Sequence, residues 1–325
     1  MTELAPRHTD LVVRVLEKHW GIKDEPTRTH QGVSRATWRI GNRYWLSQAE
    51  HFRLAELSRL AELQSHLFRY LKEEDLALSV PKIIGSRTGN LVVVEAGYVW
   101  CLTCDLPGFH PEAGDPETYN VLTEGLARFH DVLRTLPLSE SLHVASGICV
   151  KTRQAIDRLS ADGFVALASD PCEGEILHMA STWLLPRLHD FERLPRQIVH
   201  GDWTPRNVLF QRVEQEARLT GVLDMEAMAW DPICVDVANT CSTLLMWSGL
   251  DTLEERIGNV IETYERMSGT FLERKDIHTA MLARWFCHYW DWRDRLSHGE
   301  FGHEVKERLS LRISSVLSYL ESHSH

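Results

Sequence analysis

Apolar residues along this chain recur first at helical and strand spacings in alternation, and then almost wholly at helical spacing. From Leu11 to Trp20 the period is helical and predicts a helix packed on the outside of an N-terminal sheet. Strands are expected around Trp38–Ile40 and Tyr44–Leu46, joined by Gly41-Asn42, a pair suited to a tight hairpin turn. From Phe52 to Lys72, Leu54, Leu57, Leu60, Leu63, Leu67 and Leu71 keep helical spacing, which over so few turns describes one packed helix rather than a coiled coil. Further strands near Lys82–Ile84, Leu91–Glu95 and Tyr98–Thr103 complete a predicted five-stranded antiparallel sheet. Beyond Gly108 the pattern is mainly helical, broken by short apolar strands such as Ile198-Val199 and Val222-Leu223. Pro107-Gly108 and the stretch from Pro111 to Pro116 mark the change. The expected class is α+β, with one domain over 1–105 and a second over 106–325.

Composition narrows the class of protein. A chain of 325 residues that is 43% apolar and 25% charged can bury a substantial core. Its net charge of −11 argues against nucleic acid or an anionic membrane as a partner. No apolar run reaches the length of a membrane span, and Met1 to Asp10 lacks the apolar core of a signal peptide, so a cytoplasmic location is expected. Seven cysteines, an odd count scattered through apolar segments, read as reduced thiols. Cys101-x-x-Cys104 has no second Cys or His pair to complete a zinc site. From Asp224 to Glu300 there are fourteen Asp/Glu against seven Lys/Arg, a bias that suits a cationic small molecule or simply solvated helix faces.

The chemistry is concentrated in one stretch. His200-Gly201-Asp202-Trp203-Thr204-Pro205-Arg206-Asn207 follows the strand-like Ile198-Val199, and Asp224-Met225-Glu226 follows the strand-like Val222-Leu223, with Asp224 seventeen residues after Asn207. One carboxylate to accept the proton of an attacking hydroxyl, with an amide oxygen and a second carboxylate to hold Mg²⁺ against ATP phosphates, is the minimum set for phosphoryl transfer. Asp202 is the expected base, Asn207 and Asp224 the metal ligands. His200 is expected to brace the loop as a structural donor, and Pro205 to stiffen it. Glu226 would face the same side of a strand as Asp224, near substrate or metal, or would form a salt bridge.

These segments resemble the aminoglycoside phosphotransferase and choline kinase superfamily, small-molecule kinases with a bilobal, protein-kinase-like fold. The resemblance covers nearly the whole chain. Gly32 to Ile40 is similar to the family's first hairpin over the nucleotide, Leu106-Pro107-Gly108 to its post-hinge motif, and Leu126 to His130 to its Leu-Ala-x-Leu-His helix. Asp236 matches its buried structural Asp. The resemblance implies ATP and Mg²⁺ as cofactors, with adenine between the lobes on backbone from Cys104 to Leu106, and a hydroxyl of a small polar or cationic acceptor. It also exposes a departure. Ser47 stands where the family carries a phosphate-gripping Lys, and no Lys occurs between Lys23 and Lys72. The helix acid that would pair with such a Lys is Glu62 or Glu56, and candidate substitutes for the cation are Arg35, Arg39, Arg43 and Arg53. Ser47 therefore also supports an alternative, a kinase-like protein that binds ligands without catalysis. The acceptor end is expected on the aromatic-rich segment carrying Trp285, Tyr289 and Asp291, where aromatic faces and a carboxylate could hold an ammonium or a sugar.

Overall fold

The computed structural model describes residues 7–29, 36–112, 115–137, 145–162, 171–214, 216–247, 250–297 and 303–322. They form two compact units. The first holds the described residues up to Phe109 together with Leu209–Glu226; the second holds His110–Thr135, Ala145–Val208 and the described residues from Ala227 onward.

The first unit opens with α1 (Arg7–Trp20), then β1 (Pro26–Thr29), β2 (Ala36–Ile40) and β3 (Tyr44–Glu50). A 3-10 turn over His51–Arg53 leads into α2 (Leu54–Glu73), and β4 (Val92–Glu95) and β5 (Tyr98–Cys104) follow. The strands pair antiparallel in the order β1-β2-β3-β5-β4. Alternate residues of the sheet point to one face, where Trp38, Ile40, Leu46, Val93, Trp100 and Leu102 meet Val12, Val15 and Leu16 of α1 in one apolar cluster. The rings of Trp38 and Trp100 lie 5.7 Å apart at its centre. Helix α2 buries Leu57, Leu60, Ala61, Leu63, Leu67 and Leu71, the stripe its leucine spacing implies.

The sheet has five strands, but not the expected five. Lys82–Ile84 contributes only an isolated bridge, Ile83 to Thr103, and the remaining strand is the edge segment Pro26–Thr29. Pro26 sits at the first position of an edge strand, where its missing N–H breaks no ladder. Its Pro-Thr-Arg-Thr sequence has no apolar alternation, so periodicity could not reveal it. The unit is completed by the hairpin of β8 (Val208–Val213) and β9 (Glu216–Val222), which bridges back through Phe109–Phe210 and Ser79–Gly221.

In the second unit α3 (Pro116–Thr135) packs on β7 (Arg196–Val199) and on α7 (Leu250–Ser268). A small sheet has β10 (Ala229–Pro232) at its centre, antiparallel to β7 and parallel to β6 (Ala145–Ser146). Around it lie α4 (Ile148–Asp162), α5 (Pro171–Glu192), α6 (Cys234–Trp247), α8 (Arg274–Ser297) and α9 (His303–Ser322). Helix α8 packs against α4, α5, α6 and α9, which is why nearly every residue from Ile277 to Trp290 is buried. No helix among the described residues is long and apolar enough to cross a membrane.

Candidate active site

The loop after β7 is built on a buried carboxylate. Asp236, in the first turn of α6 and fully buried, accepts the backbone N–H of His200 at 2.7 Å and of Gly201 at 2.7 Å. It also accepts His130 Nε2 at 2.9 Å. The other ring nitrogen of His130, Nδ1, lies in hydrogen-bond contact with the Tyr264 hydroxyl at 2.7 Å. Three donors on one carboxylate fix the path of the chain just before Asp202. Gly201 sits at φ +78°, in the left-handed region, and a Cβ there would run into the Ala227 carbonyl. Only glycine fits.

His200 braces the loop, but as an acceptor. Its buried Nδ1 receives the Asp202 N–H at 3.2 Å, which corrects the expectation of a structural donor at that contact. Trp203, fully buried, stacks on Phe129 at 5.4 Å and donates to the Leu122 carbonyl at 3.1 Å, anchoring the other side of Asp202. Pro205 starts a single 3-10 turn that ends at Asn207. The Asn207 amide nitrogen donates to both the backbone oxygen and Oδ2 of Asp202, each at 2.8 Å. These two bonds fix the orientation of the amide, with its nitrogen toward Asp202.

One partner of Asp202 was not foreseen. Arg284, buried on α8, forms an ion pair with Oδ1 of Asp202. Burial pushes the Asp202 carboxyl upward, but Arg284, with His288 and His200, outweighs that and holds it below the usual carboxylate range. Asp202 is therefore anionic at neutral pH. Nothing in the sequence spacing ties residue 284 to residue 202, since helix packing alone brings them together.

Asp224 and Glu226 belong to the first unit. β9 ends at Val222, Asp224 adopts φ +54°, and Met225–Ala227 is a 3-10 turn. Asp is among the few residues that enter the left-handed region readily, and here it sits between the strand and the 3-10 turn. The expectation that Asp224 and Glu226 share one strand face is thereby corrected. Glu226 instead pairs with Arg53 at 3.5 Å. Arg53, at the end of the 3-10 turn before α2, also makes a two-pronged contact with Glu56, both distances 3.1 Å. The helix acid beside a cation is thus Glu56, whereas Glu62 is exposed.

The other expected nucleotide residues are placed as follows. Ser47 Oγ donates to the Cys101 carbonyl across the ladder at 3.3 Å. Cys104 N–H is used by the Lys82 carbonyl and Asp105 N–H by the Arg43 carbonyl, both at 2.8 Å, so of the hinge segment only the Leu106 N–H is outside these contacts. Arg39 pairs with Asp105 and Arg43 with Asp24. Arg35, with Gly32 to Ser34 before it, lies outside the described residues. Trp285 and Tyr289 are buried on α8, and the side chain of Asp291 lies outside the described set. Among the described residues no three His, Cys, Asp or Glu gather as a metal cage. Mg²⁺ bound through one or two protein oxygens and phosphates does not require such a cage.

A fold of this kind, with an Asp-x4-Asn loop and an Asp between a strand and a 3-10 turn, defines a small-molecule kinase scaffold. The chain belongs to the phosphotransferase enzyme family (APH), whose model matches residues 25–270. Among solved structures it is similar to an amicoumacin kinase in complex with AMP-PNP, Ca²⁺ and amicoumacin, at TM-score 0.69 and 13% identity over 95% of this chain and 93% of that one. It is similar also to a microcompartment-associated aminopropanol kinase, at TM-score 0.67 and 14% identity over 96% and 97% of the two chains. A third is the aminoglycoside phosphotransferase APH(4)-Ia with AMP-PNP and hygromycin B, at TM-score 0.63 and 14% identity over 94% and 97%. A search of curated proteins finds no significant match.

Proposed function

We propose that this protein transfers the γ-phosphate of ATP, with Mg²⁺, to a hydroxyl of a small polar molecule. The observation that carries this reading is the Asp202–Asn207 pair: an anionic, partly exposed carboxylate on a loop locked by Asp236, with the amide nitrogen of Asn207 toward it. The acceptor hydroxyl gives its proton to Asp202 while its oxygen forms a bond to the γ-phosphorus. The bond from that phosphorus to the β–γ bridging oxygen breaks, and the electron pair leaves with ADP. Asn207 and Asp224 would hold Mg²⁺, which when bound neutralises charge on the phosphates.

Arg53 is the group best suited to replace the absent Lys. It is oriented by Glu56 and tied by Glu226 to the turn that carries Asp224. Ser47 spends its hydroxyl on a strand carbonyl and has no charge to offer. The competing reading, a kinase-like binding protein, rests on Ser47 and loses its basis if Arg53 serves the phosphates. The related structures named above bear aminoglycoside, amicoumacin and aminopropanol labels, so hydroxylated amino compounds head the candidate acceptors.

The test is a screen of hydroxylated compounds for ATP-dependent phosphorylation, run beside Asp202→Asn. That variant should keep its fold and bind nucleotide but lose turnover by roughly 10²–10⁴-fold. Near-wild-type turnover in Asp202→Asn would remove the carboxylate from the chemistry.

A further inference from the structure

Arg284 does more than its contact with Asp202 requires. The residue is buried, with 4% of its surface exposed, yet Nε and Nη1 of its guanidinium have no acceptor among the described residues. The next residue repeats the pattern: Trp285 is buried and its indole N–H has no acceptor either. A guanidinium cannot lose its proton, and an indole nitrogen can only donate. What this corner of the second unit lacks is therefore acceptor oxygens and negative charge.

The aromatic face points the same way. A substrate ammonium would be held over an aromatic ring. The Trp285 ring already has the Arg284 guanidinium carbon 5.3 Å and the Arg312 guanidinium carbon 4.5 Å from its centroid. His288, one turn beyond Arg284, packs its ring 5.8 Å from Trp285. Burial, then the field of Arg284, push its pKa down to about 3, against the pull of Asp202; Lys151 and Arg312 act in the same direction as Arg284. Besides Asp202 itself, the charged groups that act on His288 are thus cations: Arg284, Lys151 and Arg312. Four acids of the C-terminal half have partners elsewhere: Asp231 at the start of α4, Asp236 under the loop, Glu254 on Arg274 and Glu265 on the Leu272 N–H.

We infer that Arg284 and Trp285 form an anion-holding end of the acceptor subsite beside Asp202, so that the acceptor carries a carboxylate or a phosphate as well as its hydroxyl. This rests on the phosphotransferase reading and turns it from cationic toward anionic acceptors. One guanidinium then serves two partners. Nη2 keeps Asp202 in place, and the remaining donors, with the indole N–H, take the anion.

The test uses the full chain with Mg²⁺ and AMP-PNP, and four probes that share a vicinal diol: glycerate, glycerol 1-phosphate, glycerol and 3-amino-1,2-propanediol. Thermal shift and calorimetry should show binding of the carboxylate or the phosphate and not of the neutral or cationic compounds, and the better of the two anions names the group. Arg284→Gln should weaken that anion at least tenfold, and Arg284→Lys should weaken it less, keeping charge without the planar donor set. Should Arg284→Gln fail to fold, Trp285→Phe keeps the ring, removes one donor and should still weaken the anion several-fold. Preferential binding of the aminodiol, no binding of either anion, or full anion affinity in folded Arg284→Gln or in Trp285→Phe would each overturn the inference. Absence of any shift with AMP-PNP would instead count against the phosphotransferase reading itself.

Discussion

The loop that carries Asp202 and the segment around Ser47 place chemical groups by opposite means. In the loop, function and framework are adjacent in sequence: His200, Gly201, Asp202 and Asn207 are positioned by one buried acid, Asp236, whose bonds reach the backbone itself. In the N-terminal unit the strand position offers only Ser47, and a cation reaches the Asp224 turn from a different element, through Arg53 and Glu226. A backbone-anchored loop tolerates little change, because every bond in it fixes the next. A cation delivered by a long side chain can come from any element within reach, since only its head group must arrive. A contiguous motif records the first arrangement in the sequence, and nothing contiguous records the second.

If the loop is the rigid partner in that comparison, removing its anchor should have the largest effect. Asp236→Ala would leave the N–H groups of His200 and Gly201 and the His130 N–H without their acceptor in a fully buried place. A loss of about 3–5 kcal/mol in chemical denaturation is expected. A loss under about 1 kcal/mol would mean that the loop holds its shape without Asp236.

The Asp224 turn comes next. Asp224→Ala should abolish the Mg²⁺-dependent tightening of ATP binding, and Asn207→Ala should reduce it less because it removes no charge. Calorimetry with and without Mg²⁺ decides this, and unchanged Mg²⁺–ATP binding in Asp224→Ala would refute the assignment.

Arg53 sharpens the comparison directly. Arg53→Gln should weaken ATP by roughly 10–100-fold, the loss of a charge-assisted contact of about 1.5–3 kcal/mol, while AMP binding changes little. Ser47→Lys in the same chain should recover part of that loss, since it returns a cation to the strand and leaves Glu56 available to orient it. If Arg53→Gln binds ATP normally, the cation comes from elsewhere, and Arg35 becomes the next candidate.

What could be read from the sequence follows from the same distinction. The five-stranded sheet, the leucine stripe of α2 and the roles open to Asp202 and Asn207 depend on local periodicity and on one contiguous motif, and periodicity is a direct record of which face is buried. The edge strand Pro26–Thr29 escaped notice because nothing in it alternates. The Asp224–Glu226 geometry departs from a strand because β9 ends at Val222 and a left-handed Asp224 leads into a 3-10 turn. Arg284 was invisible: it is the one Asp, Glu, Lys or Arg between Ile277 and Trp290 of its helix, and its partner lies eighty-two residues away. Long-range charge pairing leaves no period in a sequence.

The smallest expected effect concerns a buried acid outside the loop and measures how far burial alone sets charge. Asp231, on β10, accepts the Ile148 N–H at 2.5 Å at the start of α4, and burial pushes its carboxyl up to about 6 despite that bond. With the folded value above the unfolded one, the folded state binds the extra proton between about pH 4 and pH 6. Stability from this group is therefore greatest below the unfolded value and falls as pH rises through about 6. Asp231→Asn keeps an oxygen for Ile148 but cannot ionise. Relative to wild type it should gain stability at pH 8 compared with pH 5, by an amount on the order of 1–3 kcal/mol for a shift of this size. Denaturation of both proteins at the two pH values measures the difference. An equal pH response in the two would show that Asp231 titrates in the folded protein as it does in the unfolded chain, and that its place at the α4 terminus is solvated enough to keep it charged.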